Sequence, residues 1–248
     1  LLVAICLGMF LTGIVQMRCQ TVPTPLQNAQ RSFRQRIRQL KQSPEPCARG
    51  PKRSISVGQL LALRNHFRNL IRNHRGMHYV CANLVKPLTF ACRLSYAEWA
   101  GPSDVQWFVS HCWDMPFESF CCSIEAFAMS KAFAEKWEEL AVWICTFANN
   151  QWDLPAEMGT NCDDSSFFRA LNSKNCRGTA MILDYSALPL TRSWCLFEVL
   201  QTMLLGSSRL EEGFEGLILC TGTGVLNSGS AGVDIAVQIA KKLSVLRC

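Results

Sequence analysis

The sequence predicts an α/β fold built on a doubly wound parallel sheet, and three observations carry that prediction. Apolar runs of five to seven residues alternate with helical patterns over 94–248, as expected of a parallel sheet covered on both faces. Helix start and stop signals fall between the runs, with Thr191 before a helix and Gly206 after it. Polar residues gather after the first three runs, where ligands bind in such sheets. Right-handed crossovers then make the arrangement flavodoxin-like.

VQWFVS (105–110) reads as a buried strand and is succeeded by a turn around Asp114 and Pro116. Phe117, Phe120, Cys121, Ile124 and Phe127 recur at helical spacing, and the pattern continues toward Glu139. AVWICTF (141–147) is a second strand, ending in Asn149, Asn150 and Gln151. A loop rich in Asp, Asn, Gly and Pro leads to a short helix near 165–171. TAMILD (179–184) is the third strand, and Thr191 opens a helix that runs to Leu205. GLILC (216–220) is the fourth strand, and 233–243 a further helix.

The chain has 248 residues, 49% hydrophobic and 18% charged, with a mean hydropathy of +0.09. This excludes a disordered, collagen-like or polytopic membrane protein. The net charge of +6 hides a split. Residues 1–93 hold 15 Lys/Arg against Glu45 alone, whereas 94–248 hold 10 against 18 acids. A basic helical N-terminal region therefore precedes an acidic α/β body.

Residues 1–17 (LLVAICLGMFLTGIVQM) are uncharged, and 17 residues is the lower limit for a membrane-spanning helix. A transmembrane segment is expected there, with a signal peptide as the rival reading. Residues 18–56 read as a basic linker, 57–99 as a helical basic region and 100–248 as the α/β domain. Ser56 caps the expected helix, in which Leu60, Leu63, Phe67 and Leu70 interleave with Arg64, Arg68 and Arg72. Such charge suits an anionic membrane surface and places the α/β domain on the cytoplasmic side, membrane-associated. The rival partner, nucleic acid, is disfavoured because no zinc finger or RNP-type motif accompanies the charge. Position 1 is Leu, and the helical pattern runs to Cys248 without a stop, so the chain reads as cut at both ends.

Fourteen cysteines is about 6% of the chain, below the roughly 8–10% of disulfide scaffolds. Most lie in apolar runs and read as reduced, buried thiols. His111, Cys112, Cys121 and Cys122 are the only cluster resembling metal ligands, and their spacing fits no usual zinc pattern. No metal is expected. The loop TGTGVLNSGSAG (221–232) is glycine-rich but matches neither G-x-G-x-x-G nor the P-loop. It leaves a nucleotide-binding regulatory domain as a weaker reading.

Glu198 is the only charge in SWCLFEVLQTMLL (193–205), with Trp194 one turn earlier on the same face. An unpaired carboxylate on so apolar a helix is costly to bury. It must face solvent, pair with a base such as Arg192, or line a site. Ser110, His111 and Asp114 come after strand one, Asn150 after strand two, and Asp184 ends strand three, so these residues are candidates for the same cleft.

FVSHCW (108–113), WICTFANNQ (143–151) and LPLTRSWCLFE (188–198) together resemble a divergent TIR-type (Toll/interleukin-1 receptor-like) domain, of the form found in uncharacterised proteins of single-celled eukaryotes. The resemblance covers about 100–248 and rests most on Ser193–Trp194–Cys195–Leu196–Phe197–Glu198. It implies a flavodoxin-like fold and signal transduction. In enzymatically active members the matching glutamate cleaves NAD, which maps that catalytic role onto Glu198, with NAD as substrate rather than cofactor. Ser110, His111, Trp113, Trp194, Asn150 and Asp184 would then contact the dinucleotide. The resemblance also implies self-association through the loop 149–159. Ser110–His111–Cys112–Trp113 departs from the family's usual segment after strand one, and no fifth strand is evident. A non-catalytic interaction module acting by homotypic assembly is the alternative.

Overall fold

A computed structural model describes residues 22–40, 43–131, 136–226 and, further on, 229, 231, 232, 234, 236–238, 240 and 241. These residues form an α/β fold with ten α-helices and a mixed six-stranded sheet. The strands are β1 (Ile55–Ser56), β2 (Trp107–Ser110), β3 (Ala141–Ile144), β4 (Thr179–Ile182), β5 (Leu217–Thr221) and β6 (Gly224–Val225). Their order across the sheet is β1-β3-β2-β4-β5-β6. The inner four run parallel, and β1 and β6 are antiparallel at the edges.

Every residue of β2, β3 and β4 is buried, which is why these strands read as continuous apolar runs. The helices are α1 (Pro25–Leu40), α2 (Val57–Phe67), α3 (Met77–Val80), α4 (Lys86–Thr89), α5 (Tyr96–Ala100), α6 (Phe117–Lys131), α7 (Cys145–Ala148), α8 (Leu154–Met158), α9 (Ser166–Leu171) and α10 (Ser193–Ser208). One face of the sheet, with Trp107, Val109, Val142 and Ile144, packs in the larger core with Phe120, Ile124 and Phe127 of α6. On the other face Phe108 stacks on Trp143, ring centroids 4.9 Å apart, and packs with Phe167 and Leu171 of α9.

The second strand is shorter than the sequence suggests. It stops at Ile144, and the chain turns helical at Cys145. Gln151 Nε2 holds that turn by donating to the carbonyls of Cys145 and Thr146, each at 3.2 Å. The glycine-rich loop also differs, because Thr221 and Gly224 pair as the β5–β6 hairpin instead of leading directly into a helix. The helix expected over 233–243 lies only partly within the described residues, as does that loop.

The expectation of a transmembrane helix is corrected. Among the described residues no helix is long and apolar enough to cross a membrane. The longest, α1 and α10, have 16 residues each, or about 24 Å at 1.5 Å per residue, short of the roughly 30 Å hydrocarbon core. The run 1–17 that prompted the expectation lies outside the described residues.

The basic N-terminal region from α1 onward is built into the fold. Phe33 and Ile37 of α1, Ile55 of β1 and Leu60, Leu63 and Phe67 of α2 share one core with the sheet and α6. Ser56 caps α2 through a full capping box with Gln59, as its spacing suggests. The charge split is partly internal complementarity: Arg49 pairs with Asp164 at 2.7 Å, Lys52 with Asp104 at 2.8 Å and Arg64 with Glu125 at 3.0 Å. Arg53 bridges two buried carboxylates, Glu98 at 3.1 Å and Glu157 at 2.6 Å.

Candidate functional site

Strand β2 lies between β3 and β4, and its last residue, Ser110, is 1% exposed. Side chains alternate along a strand, so Ser110 projects with Phe108 toward the α9 and α10 side. There its hydroxyl donates to Glu198 Oε2 at 2.5 Å. Glu198 stands in the second turn of α10 and is 5% exposed. Its helix turn is fixed from below: Thr202 Oγ1 donates to the Glu198 carbonyl at 2.7 Å and meets Thr179 Oγ1 of β4 at 2.6 Å.

Of the three fates open to this carboxyl, solvent exposure and pairing with Arg192 both fail. Arg192 instead meets Asp114 Oδ2 at 2.9 Å and Cys112 Sγ at 2.7 Å. Burial pushes the Glu198 carboxyl up to about 7, against the pull of hydrogen bonds from Ser110 and Trp194. A carboxyl so tuned exchanges its proton near neutrality and, once ionised, can stabilise positive charge in a site.

Two cysteines border the pair. Ile144 lies opposite Val109 in the β2–β3 register, which brings Cys145 level with Ser110. Burial, with the Glu198 charge adding to it, pushes the Cys145 thiol up to about 12 and that of Cys195 up to about 11. Both stay protonated at neutral pH and are poor nucleophiles. Cys145 Sγ accepts from the Trp113 indole at 3.2 Å. Trp194 is 45% exposed and sits edge-on to Phe167 at 4.5 Å. Ser110, Glu198, Trp194 and, through Cys145, Trp113 thus form one cluster.

The other candidates lie apart from it. His111 is buried against Phe120 of α6, centroids 4.8 Å apart. Burial drives its imidazole down to about 4, so it is neutral at physiological pH and offers no charge to a phosphate. Asn150 secures its own loop, donating to the Arg93 carbonyl at 2.9 Å and accepting from Trp152 N at 3.0 Å. Asp184 accepts from Ser186 Oγ at 2.8 Å and from the Leu188 amide at 3.2 Å. It lines a separate cavity of about 620 Å³, with Met115, Glu118, Tyr185, Thr221 and Thr223, beyond the ends of β4 and β5.

Sequence reasoning does not single out Cys145 and Cys195 as neighbours of Glu198. A signal for Cys145 exists: it lies toward the end of the second apolar run as Ser110 ends the first, and parallel register brings such positions side by side. No protein-family model, curated protein or solved structure matches the chain. What the fold and the site define is an α/β protein with a buried, protonatable carboxyl at the carboxyl end of its central strand.

Proposed function

We propose that this is a TIR-like signalling domain that cleaves the nicotinamide–ribose bond of NAD, with Glu198 as the catalytic carboxylate. One observation carries the reading: Glu198, with no cationic partner among the described residues, is hydrogen-bonded to Ser110 at the end of an inner parallel strand. The parallel strands read 2-1-3-4 when numbered among themselves, the order of a flavodoxin-like sheet, whose ligands sit where the order reverses. That point lies between β2 and β4, where Ser110 stands. The Trp-Cys-Leu-x-Glu element within SWCLFE (193–198) adds the resemblance.

The chemistry asks little of the protein. Nicotinamide in NAD is a cationic leaving group, so the C1′–N bond breaks with its electron pair going to the ring and no general acid is needed. Water then adds to C1′ and releases a proton, giving ADP-ribose and nicotinamide. The site must stabilise the oxocarbenium-like charge at C1′, and ionised Glu198 supplies the negative field. Trp194, bonded to the carboxyl and half-exposed, links it to the surface and offers a ring for stacking.

The test is nicotinamide release by the purified chain, free and clustered on beads, beside Glu198→Gln. Release by the wild type that rises with pH through about 7 and vanishes in a folded Glu198→Gln variant supports the reading. Equal release by both overturns it. A second reading, a non-catalytic module acting by homotypic assembly, draws on Leu196, Leu200, Met203 and Leu204, which leave an apolar face of α10 exposed. Concentration-dependent self-association with no nicotinamide release favours that one.

A further inference from the structure

The basic side chains from Arg49 to Arg64 all meet carboxylates of the body. Helix α1 is different. Arg31, Arg34, Arg36 and Arg38 project from it, and among the described residues none has a carboxylate within ion-pair distance. Arg34 and Arg38 line a pocket of about 350 Å³ between α1, α4 and α5, and among the described residues its lining holds no acid. The pocket's apolar wall is Ile37, Leu88, Cys92 and Trp99. Glu45, one residue beyond Pro44 on the rim, is exposed and outside the lining.

We propose that this pocket binds a phosphate group carried on a ligand with an apolar portion. Arg34 is already positioned, because its Nη2 donates to the Pro87 carbonyl at 3.0 Å and anchors the guanidinium at the wall. Among the described residues its remaining N–H groups meet no further acceptor, and a guanidinium fork matches phosphate oxygens in pairs. Burial, and then the charges of Arg38 and Arg31, lower the Arg34 pKa, so like charges stand close to this guanidinium. A doubly charged anion between Arg34 and Arg38 relieves that repulsion better than a single charge. The volume lies in the range of small-molecule sites and exceeds what a bare phosphate fills, so the apolar wall has a ligand body to cover. The site is remote in sequence from Glu198 and does not depend on its role.

The experiment uses the whole chain. Thermal unfolding is monitored in sodium phosphate and in sodium chloride of equal ionic strength, for the wild type, Arg38→Gln and Arg34→Gln/Arg38→Gln. The wild type should gain a Tm that climbs with phosphate concentration, and both variants should lose most of that gain. Without phosphate, Arg38→Gln should be close in stability to the wild type, since relief of repulsion offsets the loss of a basic side chain from the last turn of α1. Octyl phosphate should bind at least about tenfold more tightly than inorganic phosphate, and at least about tenfold more weakly to the double variant. Should the double variant not fold, Arg38→Gln alone decides. Sedimentation with phosphatidic acid vesicles but not phosphatidylcholine, lost in Arg38→Gln, identifies a lipid headgroup as the source. Octyl phosphate binding without sedimentation identifies a soluble phosphomonoester, and either upholds the site. An equal phosphate gain in the wild type and Arg38→Gln is a general salt effect and overturns it, as does no gain at all.

Discussion

Replacing Glu198 by Gln should make the protein more stable at pH 8 and leave it almost unchanged at pH 4.5. The side chains are nearly isosteric, and the Gln carbonyl oxygen can accept from the Ser110 hydroxyl as Glu198 Oε2 does at 2.5 Å. In the unfolded chain Glu198 ionises at its ordinary 4.5, but in the fold burial holds it protonated up to about 7. Between these values the folded state binds more protons than the unfolded one, so this group makes stability fall as pH rises. The penalty begins near pH 4.5, grows through the interval and levels off above pH 7. At 1.36 kcal/mol per pH unit, the interval amounts to about 3 kcal/mol. Gln does not titrate and escapes it. Urea unfolding of both proteins from pH 4 to 8.5 isolates the contribution, because every other titrating group cancels in the difference. The advantage of Glu198→Gln should grow from near zero to about 3 kcal/mol, less whatever the ionised carboxylate gains from Ser110 and Trp194. A difference that is flat with pH would refute the reasoning, since Glu198 would then ionise as it does in water. A wild type that gains on the variant as pH rises would mean a cation near the carboxylate.

Two further substitutions test how the two charge-separated halves are joined. Arg53→Ala leaves Glu98 and Glu157, 1% and 4% exposed, without their shared cation, and should cost about 3–5 kcal/mol in urea unfolding; a loss under 1 kcal/mol would mean that the pair is solvated. Gly76→Ala puts a Cβ 2.4 Å from the Trp113 carbonyl and 2.9 Å from that of Met115, so the backbone must shift. The expected loss is about 1–3 kcal/mol, with a change in the fluorescence of Trp113, and an unaltered spectrum and stability would show that the loop yields freely.

Helix α10 turns Glu198 inward and Leu196, Leu200, Met203 and Leu204 outward. Assembly through that face would act on the same helix that carries the carboxyl. If Glu198 is catalytic and this face self-associates, the two are separable by mutation: Leu200→Ser should weaken assembly without touching the Ser110 bond.

Local patterns in the sequence determine the inner sheet. Trp107–Ser110, Ala141–Ile144 and Thr179–Ile182 are buried over their whole length, so each leaves an uninterrupted apolar run. The capping box of α2 is legible for the same reason, since Ser56 and Gln59 are three residues apart. Glu198 stands out in sequence as the one charge on an apolar helix. The tertiary structure alone decides what that charge does. Its partner Ser110 is 88 residues away, and its other neighbours, Cys145 and Cys195, read in sequence as ordinary apolar positions. The same holds for Arg192, whose partners are Asp114 and Cys112, and for His111, which the strand's alternation sends to the opposite face from Ser110. It holds most of all for the basic N-terminal region. Its charge composition reads as a separate leader, yet Phe33, Ile37 and Leu60 lie in the core of the sheet, and Arg49, Lys52, Arg53 and Arg64 neutralise acids more than forty residues distant. Periodicity and capping act within a turn or two of chain and survive in the sequence; ion pairs and buried carboxyls depend on which distant surfaces meet, and only folding brings those surfaces together.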